Sequence, residues 1–140
     1  MTSEPEQSPA KPLRETAPGK SILFAAGAVA ATSAMLFWGT GLRPIWWLTW
    51  FAPLPVLLIS LRLGRLGAFC VAALAWFLGS LNMWRYLLSA IALPFPLVLI
   101  LSAAPACLFA LAALLFRRFV LGGALWKAAL AFPAFWVTCE

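Results

Sequence analysis

The stretch that decides the fold is residues 93–116, LPFPLVLILSAAPACLFALAALLF, which runs for 24 residues without a charged side chain. A helix needs about 20 apolar residues to cross the hydrocarbon core of a bilayer. Three further stretches, residues 21–42, 45–61 and 66–84, are also uncharged, and the second is short and broken by Pro53 and Pro55. The pattern predicts an all-α, polytopic transmembrane helix bundle with four full spans.

A fifth apolar stretch, residues 128–140, lies at the end of the sequence and contains 13 residues. As a helix it would be about 20 Å long, which is shorter than a hydrocarbon core of about 30 Å. We therefore expect a truncated fifth span. A chain end inside lipid would leave a carboxylate and unpaired carbonyls there, which is costly. This favours a fragment of a longer protein, with a natural truncation as the alternative.

The segment before the first span, residues 1–20 (MTSEPEQSPAKPLRETAPGK), has four prolines and charges of both signs. Such a composition cannot bury enough apolar surface to fold, so it predicts a disordered tail. The alternative is a cleaved signal peptide. The length and acidic residues of the tail favour an uncleaved first helix instead.

Composition limits the chemistry that the chain can perform. The chain is 64% hydrophobic and 10% charged and has no histidine and no aspartate, whereas soluble domains carry roughly 25% charged residues. It has no carboxylate between Glu15 and Glu140, so a serine or cysteine nucleophile has no base. Its three cysteines lie in apolar stretches and are expected to pack as small hydrophobic residues. We predict no catalytic residue, no metal site and no cofactor.

The basic residues predict orientation rather than nucleic-acid binding. The net charge is +6, but the charges are spread over separate hydrophilic breaks and form no basic face. Alternate breaks are rich and poor in lysine and arginine: three in the tail, then Arg43, then Arg62 and Arg65, then Arg85, then Arg117, Arg118 and Lys127. Because basic loops stay in the cytoplasm, the N-terminus is expected there. Contacts with anionic lipids would use the same charges.

Four residues near the outer end of the third span are candidates for lipid contact. A guanidinium between aromatic side chains, as in Trp84, Arg85 and Tyr86, could bind a phospholipid phosphate. The alternative is that Arg85 merely reaches the interface and ends the helix. Asn82 could bind a lipid head group or instead hold two helices together. Arg43, before Pro44, has the same two interpretations as Arg85.

Three stretches resemble the apolipoprotein N-acyltransferase family. They are residues 48–58 (LTWFAPLPVLL), 79–88 (GSLNMWRYLL) and 132–140 (FPAFWVTCE). Their order and separation are similar to those of a second span, a third span ending in aromatics and a later span in that family. The resemblance covers about residues 22–140, the front part of the family's length.

The resemblance implies a bundle of about eight spans in the bacterial inner membrane with a nitrilase-like catalytic domain facing the periplasm. A Glu-Lys-Cys triad in that domain transfers an acyl chain from a phospholipid to the N-terminus of a diacylglyceryl lipoprotein. No position of this chain matches the triad, and the Cys139–Glu140 pair belongs to the membrane part. The expectation is a membrane-anchor and lipid-access part, inactive alone, with phospholipid and lipoprotein as partners. The alternatives are a non-enzymatic membrane protein, such as a transporter component or assembly factor, and a degenerate paralogue without catalysis.

Overall fold

A computed structural model describes residues 18–40 and 45–139, and the regular structure in these two ranges is entirely α-helical. The helices are α1 (Pro18–Gly39), α2 (Trp46–Phe51), α3 (Pro53–Ser60), α4 (Arg65–Ser89), α5 (Phe95–Leu121) and α6 (Leu125–Cys139). Residues 1–17 of the predicted tail, the candidate Arg43 and the terminal Glu140 lie outside the described residues. Residues 18–20, assigned to the tail by composition, already belong to α1, because proline suits the first helical position.

Three helical segments are long and apolar enough to cross a membrane: Ser21–Gly39 in α1, Arg65–Ser89 and Phe95–Leu121. Two apolar segments are shorter, Trp47–Ser60 and Leu125–Phe135. The prediction of an all-α fold is therefore confirmed for the described residues, and the three long apolar helices support a membrane bundle. The count differs from the four full spans predicted, because the helical part of the second span begins at Trp46 and ends at Ser60.

The long helices continue past the charges at which the sequence pattern placed their ends. α4 includes Arg85 and ends at Ser89, and α5 includes Arg117 and Arg118 and ends at Leu121. Arginine is a good helix former, and its long side chain can reach a polar interface from inside an apolar helix. A charge therefore marks the depth of the interface better than it marks the end of the helix.

The second predicted span is interrupted at Ala52, between α2 and α3. Ala52 keeps a helical conformation, with φ of −53° and ψ of −40°, so the chain continues in nearly the same path. The interruption is one of hydrogen bonding, because Pro53 and Pro55 have no N–H to donate to the preceding turn. The predicted break by these two prolines is confirmed, and its position is the residue before Pro53.

Helices α1 and α4 run parallel and in close contact. The Ser33 hydroxyl donates to the carbonyl of Ala75 at 3.0 Å. One turn further along both helices, Leu36 lies against Gly79. Because α1 and α4 run in the same direction, the chain has to run back from the end of α1 to the level at which α4 begins. Helices α2 and α3 form this return segment. The helices α4, α5 and α6 then follow one another as antiparallel neighbours.

The centre of the bundle is built around Phe109 of α5, which is fully buried. Its ring stacks on Trp76 of α4 at 5.2 Å between centroids, and it meets Phe132 of α6 edge-on at 5.9 Å. Val56 and Leu57 of α3 belong to the same apolar cluster. The ring of Phe109 therefore packs α4, α5 and α6 against one another. This contact positions α4 and α5 beside the cavity described below.

The turns after α4 and α5 each contain a residue with positive φ. Gly123 has φ of 76° in the turn into α6, a conformation that glycine adopts without steric cost. Ala92 has φ of 56° in the turn into α5, where its Cβ costs roughly 1–2 kcal/mol. Pro94 is the N-cap residue of α5, and Pro96 lies in the first turn of that helix.

Candidate lipid-binding site

A cavity of about 200 Å³ opens between α1, α4 and α5, in the half of the bundle that contains the C-terminal ends of α1 and α4. Most of the side chains around it are apolar. They are Leu36 and Thr40 of α1, Trp76, Gly79, Ser80, Met83 and Leu87 of α4, and Leu101, Ser102 and Pro105 of α5. The positions from α4 repeat every three or four residues, so they form one continuous face of that helix.

Small side chains create this cavity. Because Gly79 has no side chain, α4 approaches α1 closely, and Leu36 occupies the space that a Cβ at position 79 would need. One turn of α5 contributes Ser102 and Pro105 where a larger residue would fill the space. Pro105 also lies inside α5, and a proline there removes the hydrogen bond to the carbonyl of Leu101. The result is a gap between three otherwise closely packed helices.

The hydroxyl groups around the cavity donate to their own helices. Thr40 Oγ1 donates to the carbonyl of Leu36 at 2.6 Å, and Ser80 Oγ donates to that of Phe77 at 2.8 Å. Ser102 Oγ donates to the carbonyl of Val98 at 2.9 Å. Because these hydrogens are used within the helices, the wall presents mainly carbon to its contents. Such a surface suits a hydrocarbon chain better than a polar ligand.

Asn82 holds α1 and α4 together. Its Nδ2 donates to the carbonyls of Phe37 at 2.8 Å and Thr40 at 2.9 Å. Both carbonyls lie at the C-terminal end of α1, where the helix has no further N–H groups to pair with them. Both hydrogens of the amide are used in this contact, so the structure supports the helix–helix interpretation of Asn82.

Trp84 connects α4 to α5 beside the cavity. Its indole Nε1 donates to the Ser102 hydroxyl at 2.7 Å, and tryptophan has no other donor. Its ring makes edge contacts with Phe77 at 5.6 Å and Phe95 at 5.8 Å. Trp84 therefore positions one wall of the cavity.

Arg85 and Tyr86 lie on the surface of the bundle and are exposed. Arg85 follows Trp76 by nine residues, or two and a half turns at 3.6 residues per turn, so it leaves α4 opposite the cavity. Within the described residues its guanidinium makes no hydrogen bond, and its carbonyl accepts one from the Ser89 hydroxyl. The four predicted lipid contacts are thus divided between two helix contacts, at Asn82 and Trp84, and two exposed residues.

Sequence reasoning missed Leu36, Met83, Leu87 and Ser102 as cavity residues. The available signal was the small pair Gly79–Ser80 on the same face of α4 as Met83 and Leu87. That signal shows which face of α4 lacks bulk, but not which helices lie against it. Among the described residues no group of three histidine, cysteine, aspartate or glutamate side chains could hold a metal ion.

Comparison of the chain with family models, with curated proteins and with solved structures gave no match. The class of the protein therefore follows from the fold and the cavity. Its described residues form an all-helical bundle in which three helices are long and apolar enough to span a membrane, with an apolar cavity between three of the helices.

Proposed function

We propose that this chain is the membrane-anchoring and lipid-access part of a lipoprotein N-acyltransferase. In this proposal the cavity between α1, α4 and α5 receives an acyl chain of the phospholipid donor. Transfer of that chain to the N-terminus of a diacylglyceryl lipoprotein requires a nitrilase-like domain with a Glu-Lys-Cys triad. The observation that carries the proposal is the apolar cavity itself, beside the aromatic end of α4.

The position of the family-like stretches supports this assignment. Residues 79–88, which resemble the third span of the N-acyltransferase family, contribute Gly79, Ser80, Met83 and Leu87 to the cavity. Residues 48–58 lie in α2 and α3, which make the return between α1 and α4. In the proposed arrangement α2 and α3 together cross the membrane, although their helical part is short. The N-terminus is on the cytoplasmic side in this arrangement.

The exposed pair Arg85 and Tyr86, at the same end of α4, gives lipids around the bundle a polar anchor. Arg85 is the only cation in the stretch from Leu66 to Phe116, and Tyr86 beside it carries a hydroxyl at interface depth. A phosphate held by Arg85 would be on the side of α4 opposite the cavity. The donor whose chain occupies the cavity is therefore expected to depend little on Arg85, which serves lipids around the bundle.

Photo-crosslinking with phospholipid tests the cavity directly. The chain is reconstituted with a phospholipid that has a diazirine near the end of one acyl chain, and the crosslinked residues are identified by mass spectrometry. We expect crosslinks at Met83, Leu87 and Leu101. Ser80→Leu fills the cavity and should reduce them. Ser89→Leu makes the same change on an exposed position of α4 and should not.

An even distribution of crosslinks around α4, including Leu74 and Leu78 on its opposite face, would refute acyl-chain binding in the cavity.

The enzymatic part of the proposal has a separate test. The purified chain with phospholipid and a diacylglyceryl lipopeptide is expected to form no N-acylated product, and transfer by this chain would contradict the proposal. The reading frame beyond codon 140 is expected to encode the triad domain, and a stop codon there would favour a non-enzymatic role.

A further inference from the structure

A second groove lies between α1 and α3, at the end of the bundle opposite to the aromatic residues of α4. It has a volume of about 400 Å³, and its apolar wall consists of Phe24 and Ala28 of α1 with Pro55, Leu58, Ile59 and Leu61. Arg62 completes the lining. Pro55, Leu58 and Ile59 lie on one face of α3. The exposed Arg62 follows in the turn after the helix and lines the same groove, so a guanidinium stands at the edge of an apolar groove.

The turn that carries Arg62 is held by a second arginine. Arg117 of α5 donates from Nε to the carbonyl of Ser60 at 2.8 Å and from Nη2 to that of Leu63 at 2.7 Å. These carbonyls flank Arg62 in the chain. Arg117 therefore fixes the turn and brings a second positive charge to it, while Arg62 itself is exposed.

Within residues 18–40 and 45–139, no carboxylate side chain balances the positive charge at this end. Arg65 is the first residue of α4, where the helix dipole disfavours a cation, so helix stability does not explain its presence. Arg118 is in the last turn of α5. The described residues include no aspartate or glutamate, so an anion that pairs with these arginines has to come from outside the described helices. At a membrane interface, the abundant anion next to hydrocarbon is the phosphate of a lipid.

We infer that this end of the bundle binds an anionic phospholipid, with one acyl chain in the groove between α1 and α3 and the head group against Arg62. The apolar wall and the guanidinium of Arg62 match the two parts of such a lipid. Arg117 acts as a positioning residue because it holds the turn of Arg62. This inference is independent of the acyltransferase assignment, since it concerns the other end of the bundle.

Native mass spectrometry of the full chain in detergent micelles tests the inference. The probes are phosphatidylglycerol and phosphatidylcholine with identical acyl chains, which differ in head-group charge. We expect phosphatidylglycerol to be retained preferentially, and Arg62→Ala to reduce that preference about fivefold, the usual effect of one basic residue near an anionic lipid. Arg118→Ala removes an exposed arginine at the same end of the bundle and should leave the preference nearly unchanged.

Replacing either of two alanines of α1 by phenylalanine tests the groove separately from the charge. Ala28→Phe places a ring in the groove and should reduce binding of both lipids. Ala26→Phe adds the same ring on an exposed part of α1 outside the groove and should not. Circular dichroism of each variant checks that the helices are retained. If Ala28→Phe does not fold, the comparison of Arg62→Ala with Arg118→Ala decides the question.

Four results would overturn the inference. They are equal retention of the two lipids, an equal loss in Arg62→Ala and Arg118→Ala, displacement of the lipid by inorganic phosphate, and a dimer of the chain in place of the lipid adduct. An equal loss in the two arginine variants would indicate a diffuse charge effect. Displacement by inorganic phosphate would indicate a site for a free anion, and a dimer would indicate a contact between two copies of the chain.

Discussion

At Gly79, α4 approaches α1 so closely that an added Cβ would lie 2.5 Å from the Cβ of Leu36. The Leu36 Cβ is bonded to the backbone and cannot move away by a rotamer change. Any larger residue at position 79 must therefore push the two helices apart. Gly27 of α1 offers a matched comparison, because an added Cβ there meets no atom within 4 Å.

We predict opposite effects of Gly79→Ala and Gly27→Ala on stability. Gly79→Ala should lower the free energy of unfolding by about 1–3 kcal/mol, the usual cost of overpacking. Gly27→Ala should raise it by up to about 1 kcal/mol, because alanine is the better helix former. Unfolding in mixed detergent micelles, followed by circular dichroism, measures both. Equal effects would mean that the contact between Leu36 and Gly79 does not control helix packing.

The hydrogen bond from Trp84 to Ser102 is expected to contribute modestly to stability. Trp84→Phe keeps an aromatic ring against Phe77 and Phe95 but removes the indole donor, and should cost about 0.5–1.5 kcal/mol. Trp126→Phe is the control, since Trp126 is 84% exposed. A double-mutant cycle with Ser102→Ala isolates the pair. A coupling energy near zero would show that ring packing alone holds Trp84.

Asn82 illustrates what can be predicted for a single polar residue in an apolar helix. Its isolation in the sequence predicts that it needs a partner, and hydrocarbon offers none. The sequence does not distinguish a lipid head group from the end of a helix, because the partners at Phe37 and Thr40 are 45 and 42 residues away. That Asn82 needs a hydrogen-bond partner follows from its own surroundings in the sequence. Which group is that partner depends on the fold.

Among the helices, the end of α3 is held by a side chain from another element. The carbonyls of Ser60 and Leu63 lie at or after the last turn of α3, and Arg117 of α5 donates to both. A cation is favourable at a helix C-terminus because it opposes the partial negative charge there. The sequence pattern treats Arg117 as an orientation charge, and its role in holding the turn depends on the contact between α3 and α5.

Arg117→Ala should destabilise the turn between α3 and α4. We expect a loss of about 1.5–3 kcal/mol, typical of hydrogen bonds from a charged group, with faster amide hydrogen exchange at residues 61–64. Arg118→Ala removes the neighbouring, exposed arginine and is the matched control. Similar exchange rates in the two variants would contradict the assignment of Arg117 to this turn.

For the whole molecule, the periodic charge pattern and the apolar lengths predict the number of elements better than their extent. The three long helices were identifiable because each exceeds what a bilayer requires. The second predicted span consists of two short helices, α2 and α3, because composition does not show which residues of an uncharged stretch leave the helix. The cavity could not be located from the sequence, because it depends on which three helix faces meet.

The orientation predicted from lysine and arginine is testable with engineered cysteines. In a variant with Cys70, Cys107 and Cys139 replaced by alanine, Arg118→Cys should react with an impermeant maleimide only after the cytoplasmic side is opened. Ser89→Cys should react in intact cells, because it lies at the opposite end of a neighbouring antiparallel helix. The reverse pattern would place the N-terminus outside, and labelling of both from one side would exclude a transmembrane arrangement of α4 and α5.

The parallel pairing of α1 with α4 also sets an order of events during synthesis. The partners of Ser33 and of the carbonyls at Phe37 and Thr40 come 42 to 45 residues later in the chain. At translation rates of about 5–20 residues per second, those partners are made roughly 2–9 s after α1 itself. During that interval α1 must stay in the bilayer without its partners on α4. Its own hydrophobicity, rather than the finished bundle, has to keep it there until α4 leaves the ribosome.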